Sequence, residues 1–240
     1  MNFSVILASR ERVSLLDSLL KSLEANTADK VNTEVIVCVD DDDVTTRRYS
    51  ERLKSSCSFA RMVTRPRTRN LNDGYLNWAW RNFATGDYIV ICNDDCVFST
   101  PNWDQIALAK LNRFLEDKPD GIVYGWIEDA LIERAAGLNY CCFPLVSRAA
   151  AQVLGWVMPP EFSGWGADIG LWRVYSQTDR VCDLSDIRID HVSYHSGTRQ
   201  RDHISFYVEQ LSVGTIHPIT GYNPVPHINK IVDHIRRSRV

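Results

Sequence analysis

The chemistry open to this sequence gathers where apolar runs stop at acids. In Tyr88-Ile-Val-Ile-Cys-Asn93-Asp94-Asp95-Cys96-Val97, a strand-like run ends in adjacent carboxylates. Two anions side by side at a sheet edge repel, and removal from water adds to the cost. A divalent cation offsets both. Mn2+ or Mg2+ prefers few protein carboxylates, completed by phosphate oxygens from a substrate. That is one way to hold a nucleotide diphosphate. On the strand-then-Asp pattern alone, an Asx-turn that merely solvates a loop accounts for the same residues equally well.

Other clusters join this one. Asp40-Asp41-Asp42-Asp43 ends a second apolar run, Glu34 to Val39. The alternating ligand spacing of a calcium loop is missing from it, and acids ahead of a helix also serve as caps. We expect Asp42 and Asp43 to do only that. Arg65, Arg67 and Arg69 form a basic loop; their planar forks of donors suit a diphosphate, though an exposed loop with ordinary surface charge reads the same. Phe162-Ser-Gly164-Trp165-Gly166-Ala-Asp168 closes a segment rich in Gly, Pro and aromatics, Gly155 to Gly166, whose length marks it as functional. In Asp190-His191-Val-Ser-Tyr-His195-Ser-Gly197, the two histidines lie four apart on a predicted strand and so face the same way. His195, beside Ser196-Gly197 at the strand end, is the better ligand, and His191 suits a core or supporting place.

These residues need a frame. Ser4 to Ala8 reads as a first strand. Ser9 then caps a helix with Val13, Leu15, Leu16, Leu19, Leu20 and Leu23 at helical spacing, ending near Asn26. Strand 34–39 is apolar on both faces, as strands buried between helix layers are. A helix over 44–55, a short strand over 59–63, a helix from Asn72 or Asp73 to Gly86, a strand over 87–92 and a helix over 101–115 follow. Trp78 and Trp80 fit the core better than a base-stacking role. Strand and helix thus alternate across the first half, the pattern of a doubly wound parallel sheet, with acids at the carboxyl ends of its strands, where open sheets bind ligands. The second half is less regular: strands over 121–126 and 140–146, a helix capped by Ser147, helix 168–176, strand 188–194 and a last helix over 228–237.

The chain has 240 residues, of which 45% are apolar, enough for a full core. A net charge of -3 provides no global basic field, which argues against nucleic acid as a partner. Seven cysteines, an odd number scattered through apolar runs, read as reduced core thiols. Cys92 and Cys96 lack a second pair at zinc spacing. No window holds ~18 consecutive apolar residues, so no transmembrane segment is expected, and the start of the chain lacks the basic region of a signal peptide. The expected location is the cytoplasm, of a bacterium or of a virus-infected host.

Ser4-Val-Ile-Leu-Ala-Ser-Arg10, Val35-Ile-Val-Cys-Val-Asp40-Asp41 and Gly86-Asp-Tyr-Ile-Val-Ile-Cys-Asn-Asp-Asp95 together resemble a family-2-type GT-A glycosyltransferase. Asn93 stands where the DXD motif has its first Asp. The resemblance implies an α/β GT-A fold: a mostly parallel, Rossmann-like sheet flanked by helices, with a less regular acceptor-side C-terminal half. It implies one domain over 1–240, with 1–115 binding the nucleotide-sugar, 116–215 carrying the acceptor and catalytic groups, and 216–240 a helical extension. It also implies that Asp95 and His195 hold Mn2+ or Mg2+, and that Asp94 meets the ribose or a metal-bound water. Ala8, Ser9 and Arg10 would contact base or ribose, with Asp41, and close behind it Asp40, accepting from the base. Arg69 would line the donor pocket. Gly164-Trp165-Gly166 resembles an element that lets the backbone approach both sugars, with the Trp as a platform, and the acid that follows, Asp168, would be the general base of an inverting transfer.

The expected activity is therefore metal-dependent transfer of a sugar, from a UDP-sugar by default, to a glycan or other hydroxyl acceptor. A sugar-phosphate nucleotidyltransferase shares the fold's start but usually needs a Gly-rich loop after the first strand, and Ala8-Ser-Arg-Glu-Arg12 has no glycine. A non-catalytic sugar-nucleotide or glycan-binding domain is the third reading, motivated by Asn93.

Overall fold

The computed structural model describes residues 2–130, 137–193, 197–212 and 220–239. The first half is built as its periodicity predicts. Strands β1 (Phe3–Ala8), β2 (Thr33–Asp40), β3 (Ala60–Arg65) and β4 (Tyr88–Ile91) lie parallel in the order β3-β2-β1-β4. The apolar runs of β1, β2 and β4 are continuous because both faces are covered, whereas β3, at the sheet edge, is half-exposed. Val5, Leu7, Val35, Val37 and Val90 point into one core with helices α1 (Val13–Asn26), α3 (Ser50–Ser56) and α5 (Trp103–Leu115). Ile6, Ile36, Cys38, Ile89 and Ile91 point into a second core on the opposite face. The period of two along each strand thus divides the side chains between two helix layers.

The opposite layer consists of a π-helix at Asn72–Asn77 continued by α4 (Trp78–Asn82), with α6 (Arg148–Leu154), α7 (Ala167–Tyr175) and α9 (Val225–Ser238). Trp80 is buried and Trp78 packs against this core, as expected of core residues. Between α4 and α7 the sheet changes character. β7 (Leu145–Ser147) pairs antiparallel with β4 and with β6 (Tyr124–Glu128). β6 runs parallel to β8 (Val181–His191), whose far end pairs antiparallel with the short β5 (Cys96–Phe98). The result is a mixed eight-stranded sheet.

Several boundaries differ from the sequence expectation, each for a local reason. The helix expected over 44–55 is divided into α2 (Val44–Arg48) and α3 by tight bonds from Tyr49 N to Thr46 O and from Arg52 N to Tyr49 O. The strand expected over 140–146 is confined to Leu145–Ser147, since Pro144 has no N–H to give a ladder. β8 starts seven residues earlier than expected, at Val181 rather than Arg188. Its outward residues, Asp183, Ser185 and Asp186, are polar, so it has no apolar run to signal it. Helix α8 (His203–Ser212) and β5 were not expected at all. Ser9 does not cap α1; its hydroxyl donates to Asp94 instead, and α1 starts without a side-chain cap. Ser147 does cap α6, accepting from Ala150 N. All seven cysteines are free, and all but Cys142 are buried. Among the described residues no helix is long and apolar enough to cross a membrane.

Candidate functional site

A cavity of about 790 Å³ opens at the carboxyl ends of β1, β2 and β4. That edge is open because the chain leaves each strand in a turn rather than another strand, so the turns Ala8–Arg12, Asp40 and Asn93–Asp95 form one wall. Gly164 to Ile169 and residues 204, 205, 207 and 208 of α8 form the other.

Asp94 and Asp95 sit in the tight turn between β4 and β5, both buried. The antiparallel register of β5 with β8 pairs Cys96 with His191, and Val192 N donates to Asp95 O at 2.7 Å. This pairing brings His191 Nε2 to 3.4 Å from Asp95 Oδ1. Asp94 accepts from Ser9 Oγ at 2.9 Å and from Arg12 Nη1 at 3.2 Å. Asp95 Oδ2 accepts from Arg199 Nη2 at 2.9 Å, with Arg12 Nη1 3.7 Å away.

The two acids part company electrostatically. Burial, and then the charge of Asp95, push Asp94 up to about 7, against the pull of Arg12 and Ser9. Burial acts to raise Asp95 as well, but His191, Arg199 and Arg12 outweigh it and hold this carboxylate below its ordinary range. A close pair of acids splits in this way because two adjacent buried charges cannot both be cheap. Arg12 and Arg199 are themselves anchored by Asp202, just before α8. Arg12 reaches Asp202 through Nε at 2.8 Å and Nη2 at 2.6 Å, and Arg199 Nη1 lies 3.4 Å from it. His203 adds a contact to Glu11 at 2.9 Å.

At the end of β2, Asp40 is buried and accepts from Tyr75 Oη and, at 2.8 Å, from Arg10 Nη1. Arg10 also pairs with Asp42 at 2.5 Å, so Asp42 does more than precede a helix; Asp43 caps α2 through Thr46 N. Opposite, Gly166 takes φ +87° at the start of α7, a conformation glycine adopts without strain. That turn puts Asp168 in the first turn of α7, half-buried on the cavity wall, accepting from Ile169 N at 2.9 Å. Burial pushes Asp168 up to about 6, with Asp129 adding and the backbone N–H groups opposing. Trp165 is 43% exposed at the cavity.

Of the residues singled out in the sequence, Ala8, Ser9, Arg10, Asp40, Asp94, Asp95, Gly164, Trp165, Gly166 and Asp168 line this one cavity. Asp41 and Arg69 are exposed and do not line it; at the end of β2 it is Asp40 that faces inward. His195 lies outside the described residues. Arg12, Tyr75, His191, Arg199 and Asp202 were not singled out as site residues. Arg12 shares its turn with Arg10, which is a usable signal, whereas the sequence around Arg199 and Asp202 has no periodicity to place them. Among the described residues, no group of three or more His, Cys, Asp or Glu side chains is arranged to hold a metal ion.

The model of glycosyl transferase family 2 matches residues 4–136. No curated protein sequence matches the chain. Among solved structures, S. aureus TarS (residues 1–349) in complex with UDP superposes with TM-score 0.59 at 13% identity, covering 99% of this chain and 71% of that one. The mannosyltransferase PcManGT from Pyrobaculum calidifontis, in complex with GDP-Man and Mn2+, gives 0.57 at 14%, covering 99% and 75%. GalNAc-T7 with UDP, GalNAc and Mn2+ gives 0.60 at 12%, covering 80% and 44%. At these identities the likeness establishes the fold, a GT-A arrangement, and leaves the chemistry to the residues.

Proposed function

We propose that this chain, which belongs to glycosyl transferase family 2, moves a sugar from a nucleotide-sugar, a UDP-sugar by default, to an acceptor hydroxyl with inversion. One observation carries the reading. Asp94 and Asp95 from the β4 turn, and Asp168 from the start of α7, line the same cavity although they come from opposite halves of the chain.

The nucleoside end is Asp40 with Arg10 and Tyr75, where Asp40 is the acceptor for a base N–H. The diphosphate belongs between the Ser9–Arg12 turn and α8, where Arg12 and Arg199 offer guanidinium forks that match phosphate oxygens. Asp95 Oδ1 is buried without a well-formed hydrogen bond among the described residues, and His191 Nε2 is its near neighbour. An oxygen and an imidazole nitrogen are fitting donors for Mn2+ or Mg2+. Asp95 and His191 would hold the ion, with Asp94 acting through a water and His195 a further candidate. When bound, the ion supplies charge stabilisation to the leaving diphosphate.

The chain's own step is a proton transfer. Asp168 takes the acceptor O–H proton as that oxygen bonds to the anomeric carbon. The bond from that carbon to the diphosphate oxygen breaks, and the nucleotide diphosphate departs with the electron pair. A base with its pKa near 6 is ionised at neutral pH yet basic enough to help. Gly164 and Gly166 leave room for the sugars, and Trp165 offers an apolar face at the acceptor side. The half-exposed Trp165 and the open mouth of the cavity suit a glycan acceptor.

Calorimetric titration with UDP and with GDP, each with and without Mn2+, tests the reading. We expect saturable binding of one nucleotide, strengthened by Mn2+ and losing that strengthening in Asp95→Ala. An affinity untouched by both the metal and the substitution would overturn the site.

A further inference from the structure

The segment Gly155–Gly166 leads into Trp165 and Asp168 without a strand or a regular helix over 156–166. A buried backbone that lacks such a ladder must bond elsewhere. It does so through asparagines. Asn77 Oδ1 accepts from Val157 N at 2.8 Å and Met158 N at 3.0 Å, while its Nδ2 donates to Met158 O at 2.8 Å. Asn70 Nδ2 donates to Pro160 O at 2.8 Å. Asn72 Nδ2 donates to Phe162 O at 2.7 Å and Gly164 O at 3.1 Å. Leu71 N adds a bond to Ser163 O at 2.9 Å. The carbonyls of residues 158, 160, 162 and 164 are thus taken by side-chain amides, and that of 163 by a backbone N–H.

The chemistry fixes these assignments. Asn72 Nδ2 faces only carbonyl oxygens, and Asn77 faces both N–H and C=O groups. Only a carboxamide supplies donor and acceptor in that arrangement. The backbone of 72–77 has the matching shape. In an α-helix, residues five apart are turned about 140° from each other around the axis. A π-helix bonds i to i+5 and brings such residues nearer the same side, which lets Asn72 and Asn77 address one segment.

We propose that Asn72, seconded by Asn70 and Asn77, is a positioning residue for sugar transfer, fixing Gly164–Asp168 against the donor; this rests on the glycosyltransferase reading. The chain of contacts to the base is short. Asn72 holds the Phe162 carbonyl, and the Phe162 ring seats on Gly170 of α7, where a Cβ would come within 2.6 Å of it. Gly170 lies two residues beyond Asp168 on the same helix. His227 of α9 grips Glu161 of the segment at 3.0 Å from the far side. Asn72 is buried yet lines the cavity, so it stands between the donor wall and the catalytic wall.

The test compares the whole chain with Asn72→Asp, which keeps the shape but turns a donor into an acceptor facing two carbonyls. The measurements are UDP affinity with Mn2+, release of UDP from a mixture of UDP-glucose, UDP-galactose and UDP-N-acetylglucosamine at saturation, and amide exchange over residues 157–166. We expect UDP affinity within about threefold of the parent, UDP release lower by about tenfold or more, and faster exchange over 157–166 with β1 and β4 unchanged. Parental UDP release, or unaltered exchange, overturns the proposal. If Asn72→Asp does not fold, the half-buried Asn70→Ala must show the same split in weaker form, and parental behaviour there overturns it. A parent chain that binds no UDP would sink the donor reading instead, and exchange over 157–166 alone would then judge the asparagine ladder.

Discussion

The two halves of the molecule supply the site by different means. In the first, the site residues other than Tyr75 follow buried parallel strands, and their places are set by the strands' register. Asp40 ends β2, Ser9 and Arg10 follow β1, and Asp94 and Asp95 follow β4. In the second half, the groups come from turns, a half-exposed strand and an irregular segment held by side chains. His191 arrives through antiparallel pairing with β5, Asp168 through a left-handed glycine, and Arg199 through ion pairs. The first mode ties each group to the sheet; in the second, His191 is tied to it and Asp168 and Arg199 are not. On the proposed reading, the nucleoside end lies on the first half and the general base on the second, with Arg199 and His191 of the second half reaching across to the diphosphate.

The comparison can be broken most forcefully at Asp168. Asp168→Asn should lower turnover by about 10²–10⁴-fold while UDP binding persists, since only the base is lost. Steady-state kinetics set beside calorimetry check it, and turnover at the parental rate would remove Asp168 from the mechanism. Next in size is a purely structural tie of the second half. Arg180 and Asp120 form a fully buried, two-bonded pair, at 3.1 and 2.8 Å, linking the approach to β6 with the start of β8. Arg180→Met leaves Asp120 buried without its cation and with only the Ile122 N–H to accept from, which should cost about 3–5 kcal/mol by denaturant unfolding. A cost near zero would show that the second half does not depend on this tie.

A smaller effect sharpens the assignment of Asp168 as base. With its pKa at about 6, kcat/KM should fall about tenfold per pH unit below that value and level off above it. The sign for stability is opposite. The folded state binds this proton more tightly than the unfolded chain, whose carboxyl titrates near ~3.9. Acidification from pH 6 toward 4 therefore favours the fold at this residue, and Asp168→Asn should flatten both trends. The smallest effect is expected at Arg69, exposed and away from the cavity wall. Arg69→Ala should change UDP affinity by no more than about twofold, the scale of an ordinary surface substitution.

The same contrast explains what could be read from the sequence. Strands β1, β2 and β4 announce themselves because they are buried on both faces, and the acids that end them fall at the one edge where a ligand can enter. Gly164-Trp165-Gly166 and Asp168 were legible through their resemblance to a family element, inside a segment whose Gly, Pro and aromatic content already marked a long loop. β8 was only partly legible because its outer residues are polar. Asp41 ranked ahead of Asp40 in the sequence, and only the register that turns Asp40 inward reverses that order. Arg12, Arg199 and Asp202 owe their place to one another across the cavity, and the π-helix owes its shape to tertiary packing rather than to any local preference of its residues.

The central claim is that acids from both halves face a single nucleotide diphosphate. A crystal structure of the chain with UDP and Mn2+ tests it most directly. The account predicts the pyrophosphate within the cavity, its metal on Asp95, and Asp168 across from the β-phosphate where a sugar would sit. A nucleotide bound outside that cavity, or Asp95 and Asp168 opening to separate pockets, would contradict it.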